Sequence, residues 1–129
     1  MEYGLLVMGA PYSSAAPHSA LRFAYGLLEA GHRIAGVFFY QDGVHNASML
    51  MMPPQDELNM YDAWVALSRD HGVSLDVCIA AALRRGIMSE TEAQRHGQQH
   101  FNLDAPFELT GLGQLLELQQ RCDRFITFA

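Results

Sequence analysis

Short apolar runs alternate along this chain with longer segments whose apolar residues recur every three or four positions. Residues 5–8 read as a first strand, closed by the turn Gly9-Ala10-Pro11. A helix is expected over residues 19–29, where Leu21, Ala24, Tyr25 and Leu28 share a face and Gly31 stops the helix. Residues 34–40 form a second run, continuously apolar, as in a strand covered on both faces. A turn at Gln41-Asp42-Gly43 leads to a short or irregular helix over residues 44–52, ended by Pro53 and Pro54. The next helix is expected over residues 55–70, with Met60, Trp64 and Leu67 on its inner face and Gly72 after it. Residues 73–78 make the third strand, and residues 80–85 a short helix closed by Gly86. Ser89 and Glu92 have capping-box spacing and open a further helix. A strand at residues 107–109, a helix to about residue 120 and a strand at residues 125–128 complete the pattern. Strands alternating with helices predict one α/β domain over residues 1–129. Its form is a flavodoxin-like three-layer sandwich with a five-stranded, mainly parallel sheet.

Composition narrows the function classes. No apolar run approaches the ~20 residues needed to cross a bilayer, and the first nine residues lack a basic leader. The expectation is a cytoplasmic protein without a membrane anchor. The formal charge is −6, there is no Lys, and the eight Arg are scattered apart from the pair Arg84-Arg85. Phosphate-backbone binding needs a basic stripe or patch, so direct nucleic-acid binding is not expected. Two cysteines are too few for a disulfide framework.

The candidate chemistry centres on Cys78. It closes the third strand, and ligand sites in such sheets gather beyond the strands' carboxyl ends. Strand alternation sets it on the face opposite Leu75 and Val77, and the free amides of the following helix would favour a thiolate there. Pattern alone leaves open whether Cys78 is packing or a reactive thiol. Cys122 precedes the last strand, at the opposite edge of the sheet. A separation on the order of 15–20 Å follows from strand dimensions, against the ~7 Å limit for a disulfide. Cys122 is therefore read as structural. His96 and His100 have helical i, i+4 spacing, but Gly97 lies between them and no further ligand joins them, so no metal is expected. His18 and His45 follow the first two strands as loop residues or proton donors near the site edge. Gly9-Ala10-Pro11-Tyr12-Ser13-Ser14 matches neither a P-loop nor a dinucleotide fingerprint, and Gly111-Leu112-Gly113 does not complete one. Met49-Leu50-Met51-Met52 is open between core filling and partner contact.

Four stretches together resemble the DsrE/TusD family of sulfur-relay subunits. They are Val37-Phe38-Phe39-Tyr40-Gln41-Asp42-Gly43-Val44, Cys78-Ile79-Ala80-Ala81-Ala82-Leu83-Arg84-Arg85-Gly86, Leu109-Thr110-Gly111-Leu112-Gly113-Gln114-Leu115 and Cys122-Asp123-Arg124-Phe125. The resemblance spans nearly the whole chain. It implies that Cys78 carries a persulfide, with Ala80, Ala81, Arg84 and Arg85 as supporting residues and no cofactor, since the sulfur is itself the cargo. It further implies TusC-like and TusB-like partners in a heterohexamer of two copies each, a TusA-like donor and a TusE-like acceptor. The end product would be 2-thiouridine at the transfer-RNA wobble position. The alternatives are a DsrE-type subunit of dissimilatory sulfur oxidation, and a non-catalytic flavodoxin-like subunit.

Overall fold

The computed structural model describes residues 1–129. Its elements are β1 (Glu2–Val7), α1 (Ala16–Glu29), β2 (Arg33–Phe39), a 3-10 helix (Gln41–Ala47), α2 (Met60–His71), β3 (Ser74–Cys78), α3 (Ile79–Arg84), α4 (Glu90–Arg95), β4 (Phe107–Thr110), α5 (Leu112–Arg121) and β5 (Arg124–Phe128). The five strands form one sheet in the order β4-β3-β2-β1-β5, and every pairing is parallel.

Parallel neighbours require crossovers, and these are right-handed in nearly all proteins. The step from β1 through β2 and β3 to β4 runs in one direction across the sheet, so its connections lie on one face. The return from β4 to β5 runs the other way, so α5 lies alone on the opposite face. Side chains agree with that division. Phe39 meets Trp64 of α2 edge-on at 5.1 Å between ring centroids. By contrast, a Cβ at Gly4 or Gly36 would meet Leu118 of α5 at 3.2 or 3.4 Å. Leu5, Val7, Val37, Leu75, Val77 and Phe107 share the α2 face with Phe39, and all are buried. The α5 face carries Gly4, Gly36, Phe38, Asp76 and Cys78 by strand alternation.

Two helices begin elsewhere than local pattern suggests. Helix α1 starts at Ala16, with Pro17 in its first turn, where a missing N–H is no loss. Its inward residues are Ala20, Leu21, Ala24 and Leu27, while Tyr25 and Leu28 are half-buried. Helix α2 starts only at Met60, because the Asn59 side chain caps it by accepting from the Asp62 amide at 3.1 Å. Residues 48–59 are irregular apart from short turns. The expected inner face of Met60, Trp64 and Leu67 is fully buried.

The 3-10 helix is held by a buried amide. Asn46 donates to the carbonyls of Gly9 (3.2 Å) and Gly43 (2.9 Å) and accepts from Trp64 Nε1 at 3.0 Å. One side chain thus ties the end of β1, the 3-10 helix and α2 together with its polar atoms paired. Gly43 permits the approach, since a Cβ there would overlap the Val7 carbonyl. The segment after β2 is therefore anchored beside the carboxyl edge of the sheet.

Candidate active site

Cys78 ends β3 and is the N-cap residue of α3, with extended backbone at φ −62° and ψ 116°. Beside it, β4 ends at Thr110, its aligned partner in the sheet, and Gly111 caps α5. The connections from these adjacent strands leave toward opposite faces. Such a divergence opens a crevice at the carboxyl edge of a doubly wound sheet. A cleft of about 390 Å³ fills it, lined by Tyr40, Cys78, Ile79, Ala80, Arg84, Gly111 and Leu112. The starts of α3 and α5 both meet this cleft.

Helical geometry divides the four supporting residues into two pairs. Ala80 and Arg84, four apart, line the cleft. Arg84 is exposed and makes no ion pair, so its charge is free to face a visiting anion. Ala81 and Arg85, also four apart, face elsewhere. Ala81 is buried in the core, while Arg85 bonds Asp42 at 2.9 Å and the Ala81 carbonyl at 3.0 Å. Arg85 thus clamps α3 to the 3-10 helix and does not line the Cys78 cleft.

A sulfur carrier reached by another protein's cysteine would be expected to show partial exposure, yet Cys78 is only 3% exposed. It sits in the wall of the cleft, enclosed by strand neighbours on either side. Access therefore runs through the cleft and not across an open surface.

One buried side-chain oxygen lacks a partner: Thr110 Oγ1, on the strand beside Cys78. An unpaired buried hydroxyl costs about 1–3 kcal/mol, so its place at this edge calls for a reason. Two residues down the same face, Asp76 aligns with Glu108. Burial first, and then the neighbouring Glu108 charge, raise the Asp76 carboxyl above its ordinary range, while Arg121 opposes the shift.

Cys122 lies in a different setting. It follows α5 at the amino edge, with its Sγ 3.7 Å from the Gln119 carbonyl and packed toward Gly4. Three strand spacings separate β3 from β5, about 14 Å sideways alone. Both cysteines are free.

The remaining candidates do not join the cleft. No three His, Cys, Asp or Glu side chains converge as metal ligands. Helix α4 ends at Arg95 and Gly97 turns left-handed at φ 71°, which breaks the i, i+4 relation of the two histidines. His96 pairs with Glu92 at 3.3 Å, and His100 borders a separate cleft of about 460 Å³ with Leu50, Met88 and Phe101. His45 lines a third cleft, beside Tyr12 and Ser13, and His18 is half-buried within α1. The Tyr12 hydroxyl donates to the Leu58 carbonyl (2.8 Å) and accepts from the Met60 amide (3.0 Å), so the loop after β1 braces the start of α2. Met49 and Met51 are half-buried, whereas Leu50 and Met52 are 69% and 88% exposed. Reading the sequence for chemistry passes over Tyr40, Thr110, Gly111 and Leu112 as site residues. The resemblance stretches that contain them were the available signal.

A family model, the DsrE/DsrF-like family, matches residues 1–128. Among curated proteins, the chain is 49% identical over 128 residues to "Sulfurtransferase TusD" of Salmonella newport (strain SL254), covering 99% of this chain and 100% of that protein. It is 48% identical, with the same coverage, to "Sulfurtransferase TusD" of Salmonella paratyphi B. The crystal structure of the ychN protein from E. coli superposes with a TM-score of 0.78 over 99% of both chains at 20% identity, a likeness of fold.

Proposed function

Because the chain belongs to the DsrE/DsrF-like family, we propose that it is a sulfurtransferase of a sulfur relay that carries the transferable sulfur as a persulfide on Cys78. The observation that carries this reading is the setting of Cys78: a free cysteine at the wall of a cleft where two helices start and one unpaired guanidinium lies exposed. That constellation suits a sulfur anion.

The transfer is an exchange between sulfurs and is redox-neutral overall. The Cys78 thiolate attacks the outer sulfur of a donor persulfide. A new S–S bond forms at Cys78, the donor's S–S bond breaks, and the donor cysteine leaves as a thiolate. In the second half an acceptor thiolate attacks the outer sulfur and releases the Cys78 thiolate. No resident cofactor or metal enters either step. Arg84, which lines the same cleft as Cys78, favours the anionic sulfur, and an attacking cysteine enters through that cleft.

The donor is a TusA-like protein and the acceptor TusE-like, with TusC-like and TusB-like chains completing a heterohexamer that serves 2-thiouridine synthesis on transfer RNA. The relatives named TusD, at 48–49% identity, support this branch over dissimilatory sulfur oxidation. The eight scattered Arg and the charge of −6 fit a protein that hands sulfur to another protein and not to RNA directly.

The test is intact-mass analysis after incubation with a persulfide donor. A gain of ~32 Da, one sulfur atom, mapping to Cys78 and absent from Cys78→Ser is the expected result. Sulfur gained at Cys122 alone, or at neither cysteine, would refute the reading.

A further inference from the structure

We propose that the Thr110 hydroxyl is a positioning residue that binds the outer sulfur of the Cys78 persulfide; the inference rests on the reading of Cys78 as the sulfur carrier. Three observations lead to it. Thr110 and Cys78 are aligned partners on adjacent parallel strands, so their side chains project side by side on one face, at a strand spacing of about 4.8 Å. The hydroxyl is enclosed and finds no acceptor, and the Cys78 thiol does not serve as one. Gly111, its neighbour in the chain, lines the cleft with Cys78.

A persulfide changes the geometry in the one way this hydroxyl lacks. The outer sulfur stands about 2.05 Å beyond the cysteine sulfur, at a position the thiol never occupies. It is also the atom that bears the negative charge and accepts hydrogen bonds. A donor idle beside the thiol thus gains an acceptor once sulfur is loaded. An O–H to anion bond would stabilise the persulfide anion and hold the outer sulfur in one orientation toward the cleft. The other ionisable groups near it are Asp76 and Glu108 two residues down the same strands, Tyr40 at the cleft wall and Arg84 on α3. A change confined to position 110 leaves all four in place.

The experiment compares the wild-type chain with Thr110→Val, which keeps the shape and removes the hydroxyl, and Thr110→Ser, which restores it. Each is alkylated across a pH series before and after loading with a persulfide donor, and Cys78 is followed by peptide mass. In Thr110→Val, the pH midpoint for capture of the persulfide is expected to rise by about half a unit to one unit, with a persulfide lifetime shortened severalfold. Its unloaded thiol should keep the wild-type profile, and Thr110→Ser should match the wild type in both. Persulfide profiles that coincide in all three proteins would overturn the proposal. So would equal shifts of thiol and persulfide, which would mark a structural effect. Should the Val variant fail to fold, Thr110→Ala replaces it with the same expectations. A wild-type protein that never gains sulfur at Cys78 instead defeats the carrier reading itself, an outcome visible before any variant is compared.

Discussion

The two edges of the sheet hold the same kind of side chain in opposite circumstances. At the carboxyl edge, Cys78 ends a strand where the chain diverges, beside an unpaired hydroxyl, an unpaired guanidinium and a cleft of about 390 Å³. At the amino edge, Cys122 fills space between α5 and β1, with its Sγ 3.7 Å from the Gln119 carbonyl. Parallel topology creates the difference. Connections leaving adjacent carboxyl ends toward opposite faces cannot close over the sheet, whereas the end of α5 packs directly against β1. The cysteine at the carboxyl edge is buried yet borders a cleft, whereas the one at the amino edge is half-buried and borders none.

The sharpest break of this comparison exchanges each sulfur for oxygen. Cys78→Ser should eliminate sulfur transfer, by a factor of about a hundred or more given the weak nucleophilicity of a hydroxyl, while the unfolding midpoint stays near wild type. Cys122→Ser should keep transfer within about twofold. Labelled-sulfur transfer and denaturation on the same samples decide the matter. Equal losses in both variants would dissolve the distinction between the edges.

A second change loads the amino edge. At Gly4, a new Cβ would stand 3.0 Å from Phe125, 3.1 Å from the Cys122 sulfur and 3.2 Å from Leu118. Gly4→Ala should therefore destabilise the fold by about 1–3 kcal/mol through overpacking, with transfer per folded molecule unchanged. Urea unfolding combined with sulfur loading measures both quantities.

The adjacent arginines sharpen the comparison within one edge. Arg84→Ala should slow sulfur loading severalfold at low salt, with the gap narrowing as salt screens an exposed charge. Arg85→Ala should instead lower stability by up to about 1 kcal/mol, since it removes a partly exposed pair with Asp42 and a bond to the Ala81 carbonyl. Loading rates that fall equally in both variants would contradict the division of α3 into two faces.

The smallest effect concerns Asp76. Its carboxyl is raised in the fold by burial and by Glu108, so the native state holds its proton more tightly than the unfolded chain does. Its contribution is therefore fully present below the ordinary value of 3.8 and is lost as pH rises through the raised folded value. Asp76→Asn should remove that loss, flatten the acid-side dependence and leave the neutral protein slightly more stable. Unfolding midpoints measured upward from pH 3.8 test the sign.

Much of this molecule was legible as sequence. A continuous apolar run in β2 announced a strand covered on both faces, alternation marked β3, and Met60, Trp64 and Leu67 announced the inner side of α2. The position of Cys78 at a strand end followed from the same pattern. Local signals misplaced the start of α2 by about five residues, because Pro53 and Pro54 read as the break before a helix. The effective cap is Asn59, further along, and Tyr12 braces that helix start from a distant loop. The low exposure of Cys78 was also hidden, since enclosure depends on what neighbouring strands bring beside it.

Residue order by itself determined the alternation of strands and helices, the absence of a basic surface and the cysteine at a strand's carboxyl end, since periodicity and composition are local properties. Only the tertiary structure decided that Arg84 faces the cleft while Arg85 clamps Asp42, and that Thr110 stands idle beside Cys78. These are relations between elements distant in the chain, and they arise from strand order, parallel register and the handedness of the crossovers.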